Sequence, residues 1–181
     1  PALQAKKFDC IIASMSITEE RLEVVDFTDK YYTSPAQFVA AEGAGIEISK
    51  EGLTGKVIGA QISTVSEYYA RDNFGDVAEI KSYETIEQAN MDLVAGRLDV
   101  VFADKLVLLG GFIDTPDGEG YEFIGPEFSQ EEWFGPGIGI ALRKGEAELL
   151  EKLNAAIAAI RENGTYKQIN DKYFPFDVYG D

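Results

Sequence analysis

The sequence predicts an α/β protein whose centre is a parallel sheet flanked by helices. Two observations carry this. Between residues 56 and 112 short apolar runs alternate with amphipathic stretches, the pattern of strand-helix-strand-helix-strand-helix. The 181 residues are 45% hydrophobic and 12% aromatic, enough to bury a core in one large domain or two small lobes.

Residues 1–8, with Leu3 and Phe8 on one side, read as the body of a helix with no cap before it. No charged segment followed by an apolar one opens the chain, so any secretion signal is expected to be absent from it. Residues 9–13 form a short apolar run that suits a buried strand, and Cys10 within it reads as a small hydrophobe. A helix opens near residue 16, where Ser16 and Thr18 are both placed to cap it and Glu19 and Glu20 fall in its first turn. Residues 38–41 form another strand, and residues 42–49 a glycine-containing loop.

The regular centre follows. Strands are predicted at residues 56–60, 77–82 and 98–103. Helices are predicted at residues 64–74, 85–95 and 105–112. Val65, Tyr68 and Tyr69 are the candidate buried positions of the first helix. Ile86, Ala89, Leu93 and Val94 share one side of the second, which Gly96 stops. Residues 114–120 are a turn rich in carboxylates, but their spacing does not match an EF-hand loop, so a solvated turn is expected. Residues 137–142 are strand-like. Residues 146–163 form a long amphipathic helix with Leu149, Leu150, Leu153, Ile157 and Ile160 at helical spacing, ended by Gly164. A last helix covers residues 165–173, and residues 174–179 make an extended tail.

Composition excludes several functions. The chain has no His, which removes Ser-His-Asp and Cys-His catalysis and the usual N/S zinc sites. Sixteen Lys and Arg against 32 Asp and Glu give a net charge of −16, a poor match for a nucleic-acid phosphate backbone. No apolar run approaches the roughly 18 residues of a spanning helix. No metal site or cofactor is indicated.

Three places suit a polar ligand. Ser14 and Ser16 lie at a helix start with backbone N–H groups nearby, and Arg21 follows with a guanidinium able to pair with a carboxylate, or else the segment is simply a helix cap beside a surface arginine. Gln61 and Thr64 lie at the carboxyl end of a predicted parallel strand, where ligands of open α/β sheets bind, or else simply cap the next helix. Asp104 directly follows another such strand, placed either to accept from an ammonium or to cap the helix after it. Donors for a carboxylate together with an acceptor for an amine are what an amino acid requires.

The run Ser14-Met15-Ser16-Ile17-Thr18-Glu19-Glu20-Arg21, followed by Asp26-Phe27-Thr28-Asp29-Lys30-Tyr31-Tyr32, resembles periplasmic amino-acid-binding proteins of ABC importers. Gly96-Arg97-Leu98-Asp99, Phe102-Ala103-Asp104 and the ending Lys172-Tyr173-Phe174-Pro175-Phe176-Asp177-Val178-Tyr179 are similar to the lysine/arginine/ornithine-, histidine- and opine-binding group. The resemblance runs over the whole chain. It implies the type II periplasmic solute-binding fold, two lobes joined by two crossover strands near residues 37–40 and 137–140. Residues 1–37 and 138–181 would form part of lobe 1, and residues 38–134 lobe 2.

By the same resemblance, Arg21 binds the ligand α-carboxylate with help from Ser16 and Thr64. Asp104 and Ser14 take the α-amino group. Positions 13 and 66 face the ligand side chain, where this chain has Ala13 and Ser66 in place of a frequent serine and glutamine, and the ligand-binding Gln61 stands where other members carry a hydrophobic residue or a glutamine. The implied function is capture of a free amino acid in the periplasm, basic or opine-like, for delivery to an ABC permease in the inner membrane, with no enzymatic step. The same fold also hosts cyclohexadienyl or arogenate-type dehydratases and ligand-binding modules of sensory receptors. Compared with the family, the chain lacks an opening strand-helix-strand. The first lobe is therefore expected to expose strand edges and apolar surface, and the chain to bind weakly or self-associate.

Overall fold

The computed structural model of the protein describes residues 1–180. Two compact units are present, Pro1–Ser34 with Gln130–Asp181, and Pro35–Ser129.

The second unit holds a five-stranded sheet. Its strands are β3 (Ala36–Ala41), β4 (Val57–Gln61), β5 (Glu79–Tyr83), β6 (Val100–Asp104) and β7 (Tyr121–Phe128), in the order β5-β4-β6-β3-β7. The three central predicted strands are β4, β5 and β6, and β4 is parallel to both neighbours, as the alternating pattern requires. Helices α2 (Val65–Phe74) and α3 (Ile86–Val94) supply the crossovers. The sheet becomes mixed because β3 runs antiparallel to β6 and β7. Strand β7 was hidden in the sequence by Gly125 and Pro126. It lies at the sheet edge, where a proline costs no ladder bond, and its register shifts opposite residues 36–38.

The core of this unit is aromatic. Phe38 stacks on Phe102 with ring centroids 4.1 Å apart, and Phe74, Tyr69 and Phe128 close around the pair. On the other face Leu93, Leu98, Val101, Leu108 and Phe112 pack together. Two expected core positions are exposed, Tyr68 of α2 and Val94 of α3. Each falls just off the stripe that meets the sheet. The predicted helix over 105–112 is α4 (Lys105–Leu108) continued by a π-helical turn, Leu109–Ile113. The acidic turn contains a short 3₁₀ turn at Pro116–Gly118.

The first unit is sparer. Strands β1 (Cys10–Ile11), β8 (Ala141–Arg143) and β2 (Val25–Phe27) make a three-stranded antiparallel sheet. Around it lie α1 (Glu19–Val24), α5 (Glu131–Phe134), α6 (Ala147–Glu162) and α7 (Thr165–Tyr173). The predicted opening helix is absent. Residues 1–8 form turns instead, with Lys6 at φ 55°, since so short a segment does not sustain a helix by itself. Leu3 is buried against Val25, Phe27 and Ala141, whereas Phe8 is exposed. Buried Arg143 pins this opening segment by donating to the carbonyls of Leu3 and Phe8 at 3.2 and 2.7 Å and pairing with Asp9 and Glu146. The strand expected at 137–142 is ladder-paired only from Ala141, while Ile138 bridges to Ser16 and Tyr32. Of the α6 stripe only Ile157 is buried. The tail folds onto α7, where Asn170 donates to Phe176 O and accepts from Val178 N at 2.7 and 2.9 Å.

Candidate functional site

In the first unit, the Ser14 to Arg21 segment is built around its backbone. Ser14 adopts the left-handed conformation (φ 49°), and its Oγ accepts from the Tyr32 hydroxyl at 2.5 Å. Ile17 N donates to Gly137 O at 2.9 Å, and Gly139 N donates to Met15 O at 3.1 Å, which lays residues 15–17 against 137–139. Gly135 (φ 69°) makes this approach possible, since a Cβ there would lie 1.7 Å from Ile17 O. Thr18 caps α1 by accepting from Arg21 N at 3.3 Å, which settles the choice between the two cap candidates. Ser16 is buried. The Arg21 Nη1 donates to Ser16 O at 2.9 Å, which folds the guanidinium back over the loop. Ser14, Ser16 and Arg21 thus belong to one short segment, in which this bond restrains the guanidinium.

In the second unit, parallel pairing of β4 and β6 sets their carboxyl ends at the same end of the sheet. Gln61 ends β4 and Asp104 ends β6. Thr64 caps α2, accepting from Glu67 N at 3.2 Å while its hydroxyl donates to Gln61 O at 2.8 Å. Gln61 Nε2 donates to Glu84 O at 3.3 Å. Ser66 is buried within α2. Asp104 caps α4, accepting from Val107 N at 3.0 Å, so its capping role is realised.

Sequence reasoning missed Glu67. Its signal was the Thr64-Val65-Ser66-Glu67 spacing of a capping box. Glu67 accepts from Ser63 N at 2.7 Å, from Arg71 at 3.0 and 3.1 Å and from the Ser82 hydroxyl at 2.5 Å. Burial alone would push its carboxyl up, but the Ser82, Ser63 and Arg71 donors outweigh this and hold it below its ordinary range. The anchored carboxylate fixes Ser63 in its left-handed conformation (φ 62°) and so sets the Gln61–Thr64 turn. Among the described residues no group of three His, Cys, Asp or Glu side chains could hold a metal ion, and no helix is long and apolar enough to cross a membrane.

The chain is thus an α/β protein in two units, each with a polar loop segment that carries candidate site residues. The chain belongs to the family of bacterial extracellular solute-binding proteins, family 3, which it matches over residues 1–176. It is 51% identical to the L-arginine-binding protein of Pseudomonas aeruginosa over 99% of this chain and 70% of that protein. It is 41% identical to the histidine-binding periplasmic protein of Escherichia coli over the same shares of the two chains. Its fold is also that of an ancestral arginine-binding protein bound to arginine, with a TM-score of 0.86 and 36% identity over 96% of this chain and 75% of that one. The expected family and fold class are therefore those observed.

Proposed function

We propose that the chain captures a free amino acid with a cationic or opine-like side chain in the periplasm and delivers it to an ABC permease, without chemical conversion. The observation that carries this is the Arg21 guanidinium, held on the Ser16 carbonyl within a segment typical of the family. In this proposal Arg21, with Ser16 and Thr64, binds the α-carboxylate. Asp104 and Ser14 bind the α-amino group, and Gln61 and Ser66 face the side chain. The arginine- and histidine-binding relatives support a basic ligand. The net charge of −16 also attracts cations, an attraction that salt weakens.

A micromolar ligand corresponds to about −8 kcal/mol, of which a desolvated guanidinium-carboxylate pair can supply several. The test is a thermal-shift screen of the amino acids with ornithine and octopine, followed by calorimetry. A basic amino acid or opine should raise the melting temperature in a concentration-dependent way, and Arg21→Ala should abolish the effect. A flat screen overturns the proposal, and unchanged affinity in Arg21→Ala removes Arg21 from the site. Product formation from prephenate or arogenate would replace it with a dehydratase.

A further inference from the structure

A surface pocket of about 440 Å³ lies wholly within the second unit, between α3 and the π-helical turn Leu109–Ile113. None of the residues implicated in amino-acid capture lines it. Helix α3 carries two stripes. Ile86, Ala89 and Leu93 face the core, whereas Glu87, Asn90, Met91 and Val94 follow one another at helical spacing along the pocket. Met91 and Val94 are large apolar side chains left 69% and 48% exposed there, and Phe112 forms part of the opposite wall. A π-helical turn is rare and concentrates at functional positions. Here it presents Gly111 to the pocket, and a Cβ built on Gly111 meets nothing within 4 Å.

Asn90 supplies the polar element. It is 6% exposed, and its Oδ1 is buried without a hydrogen-bond partner. A buried amide oxygen left unpaired is destabilising and calls for a partner. Asn90 itself lines the pocket, and the χ2 torsion of Asn is soft enough for its amide to reorient. Two carboxylates, Glu87 and Asp117, also line the pocket, and no basic side chain does.

We propose that this pocket is a second ligand site, for an organic monocation with a flat apolar body and an N–H donor. The apolar body packs on Met91, Val94 and Phe112. The N–H donates to Asn90 Oδ1, and the ammonium is held by Glu87 and Asp117. The pocket volume suits a one- or two-ring amine, within the ordinary range of small-molecule sites. Such a ligand has no α-carboxylate and makes no use of Arg21, so it binds independently of an amino acid.

The test is titration with tryptamine, followed by amide NMR, on the wild-type chain. Saturable shifts are expected at the Asn90 side chain and at Gly110 and Gly111. Indole-3-acetate, with the opposite charge on the same ring, should bind at least tenfold more weakly. Gly111→Phe fills the pocket and should weaken tryptamine at least tenfold. The exposed pair Glu87→Gln and Asp117→Asn, which leaves the core intact, should weaken it severalfold and erase the preference over indole-3-acetate. Absence of saturable shifts at millimolar tryptamine, shifts confined to other residues, or equal affinity for the two indoles would each overturn the site. Arginine titrated in parallel reads the amino-acid proposal separately, since Arg21→Ala should leave the tryptamine shifts unchanged.

Discussion

The two units are held together by different means. Of the ten largest fully buried side chains among the described residues, all but Leu142 belong to the second unit. The first unit exposes Phe8, Ile12, Leu22, Val24, Ile169, Tyr173 and Phe176, against Ile62, Tyr68, Met91 and Val94 in the second. Its sheet has strands of two or three residues, against five to eight in the second. What organises it is polar. Arg143 ties down the opening segment, Thr28 exchanges hydrogen bonds with Ile140, and Tyr179 lies between the Arg161 guanidinium, 3.3 Å from its ring centroid, and Lys30. Apolar burial scales with area and tolerates rearrangement, whereas pins of this kind act at single points. The second unit should therefore be the more stable, and the first the more easily opened.

Hydrogen exchange is the direct comparison. Amides of β4, β6 and β3 should exchange slowest, and those of β1 and β2 orders of magnitude faster. Equal protection would erase the distinction. Within the protected unit Phe102→Ala should cost about 3–5 kcal/mol, because it empties a stacked, fully buried ring position. Phe27→Ala in the first unit should cost clearly less, since its sheet can collapse onto the gap. Denaturant melts followed by a probe in each unit would check the ranking. The exposed apolar side chains of the first unit should also make the chain self-associate, measurable as a concentration-dependent sedimentation coefficient.

At Gly135 the first unit depends on a single point. Alanine there meets the Ile17 carbonyl in a left-handed conformation, so Gly135→Ala should cost about 2 kcal/mol or more. It should loosen the Ser16–Arg21 loop before it affects the second unit. Faster exchange at Ile17 N with unchanged exchange in β6 is the expected signature, and a uniform loss across both units would contradict it.

Legibility in the sequence follows the same division. The α2, α3, β4, β5 and β6 segments announced themselves because their periodicity, caps and burial agree, and Thr64, Thr85 and Asp104 sit at the predicted helix starts. Residues 1–8 misled because their spacing was helical while their fate was decided by Arg143, 135 or more positions away in the chain. Strand β7 was illegible because local breakers are tolerated at an edge. For the candidate site, residue chemistry marked Ser14, Arg21, Thr64 and Asp104. It did not reveal that the guanidinium is tied to the Ser16 carbonyl or that Glu67 holds the Ser63–Thr64 turn of the second unit, both being tertiary facts.

Acid and base should test the units separately. Glu67 has a folded value below its ordinary one of about 4.5. Its contribution is therefore present above that pH and is lost as the pH falls through the folded value. Acidification below about pH 4 should release the Ser63–Thr64 turn in the second unit, and Glu67→Gln should flatten that part of the stability curve. Loss of the Ser63 N–H protection at low pH in the wild type, but not in a further step in Glu67→Gln, would check it.

The smallest effect is expected at the alkaline end, in the first unit. Tyr166 donates its hydroxyl to Tyr31 O at 2.7 Å. Burial pushes the phenol up to about 12, the Asp177 carboxylate adds to this, and the Arg161 guanidinium opposes it. In the unfolded chain the same phenol titrates near 10. Between those values the unfolded state sheds its proton first, so the folded state loses stability as the pH rises from about 10 towards 12. Below pH 10 both states are neutral at this position, and Tyr166 contributes only its hydrogen bond, about 1 kcal/mol. Tyr166→Phe should lose that amount at neutral pH and should show a shallower decline above pH 10. Ultraviolet titration of tyrosinate should lack its highest-pH step in the variant. A step that persists would show that Tyr166 is not the buried phenol, and an undiminished slope would place the alkaline sensitivity of the first unit elsewhere.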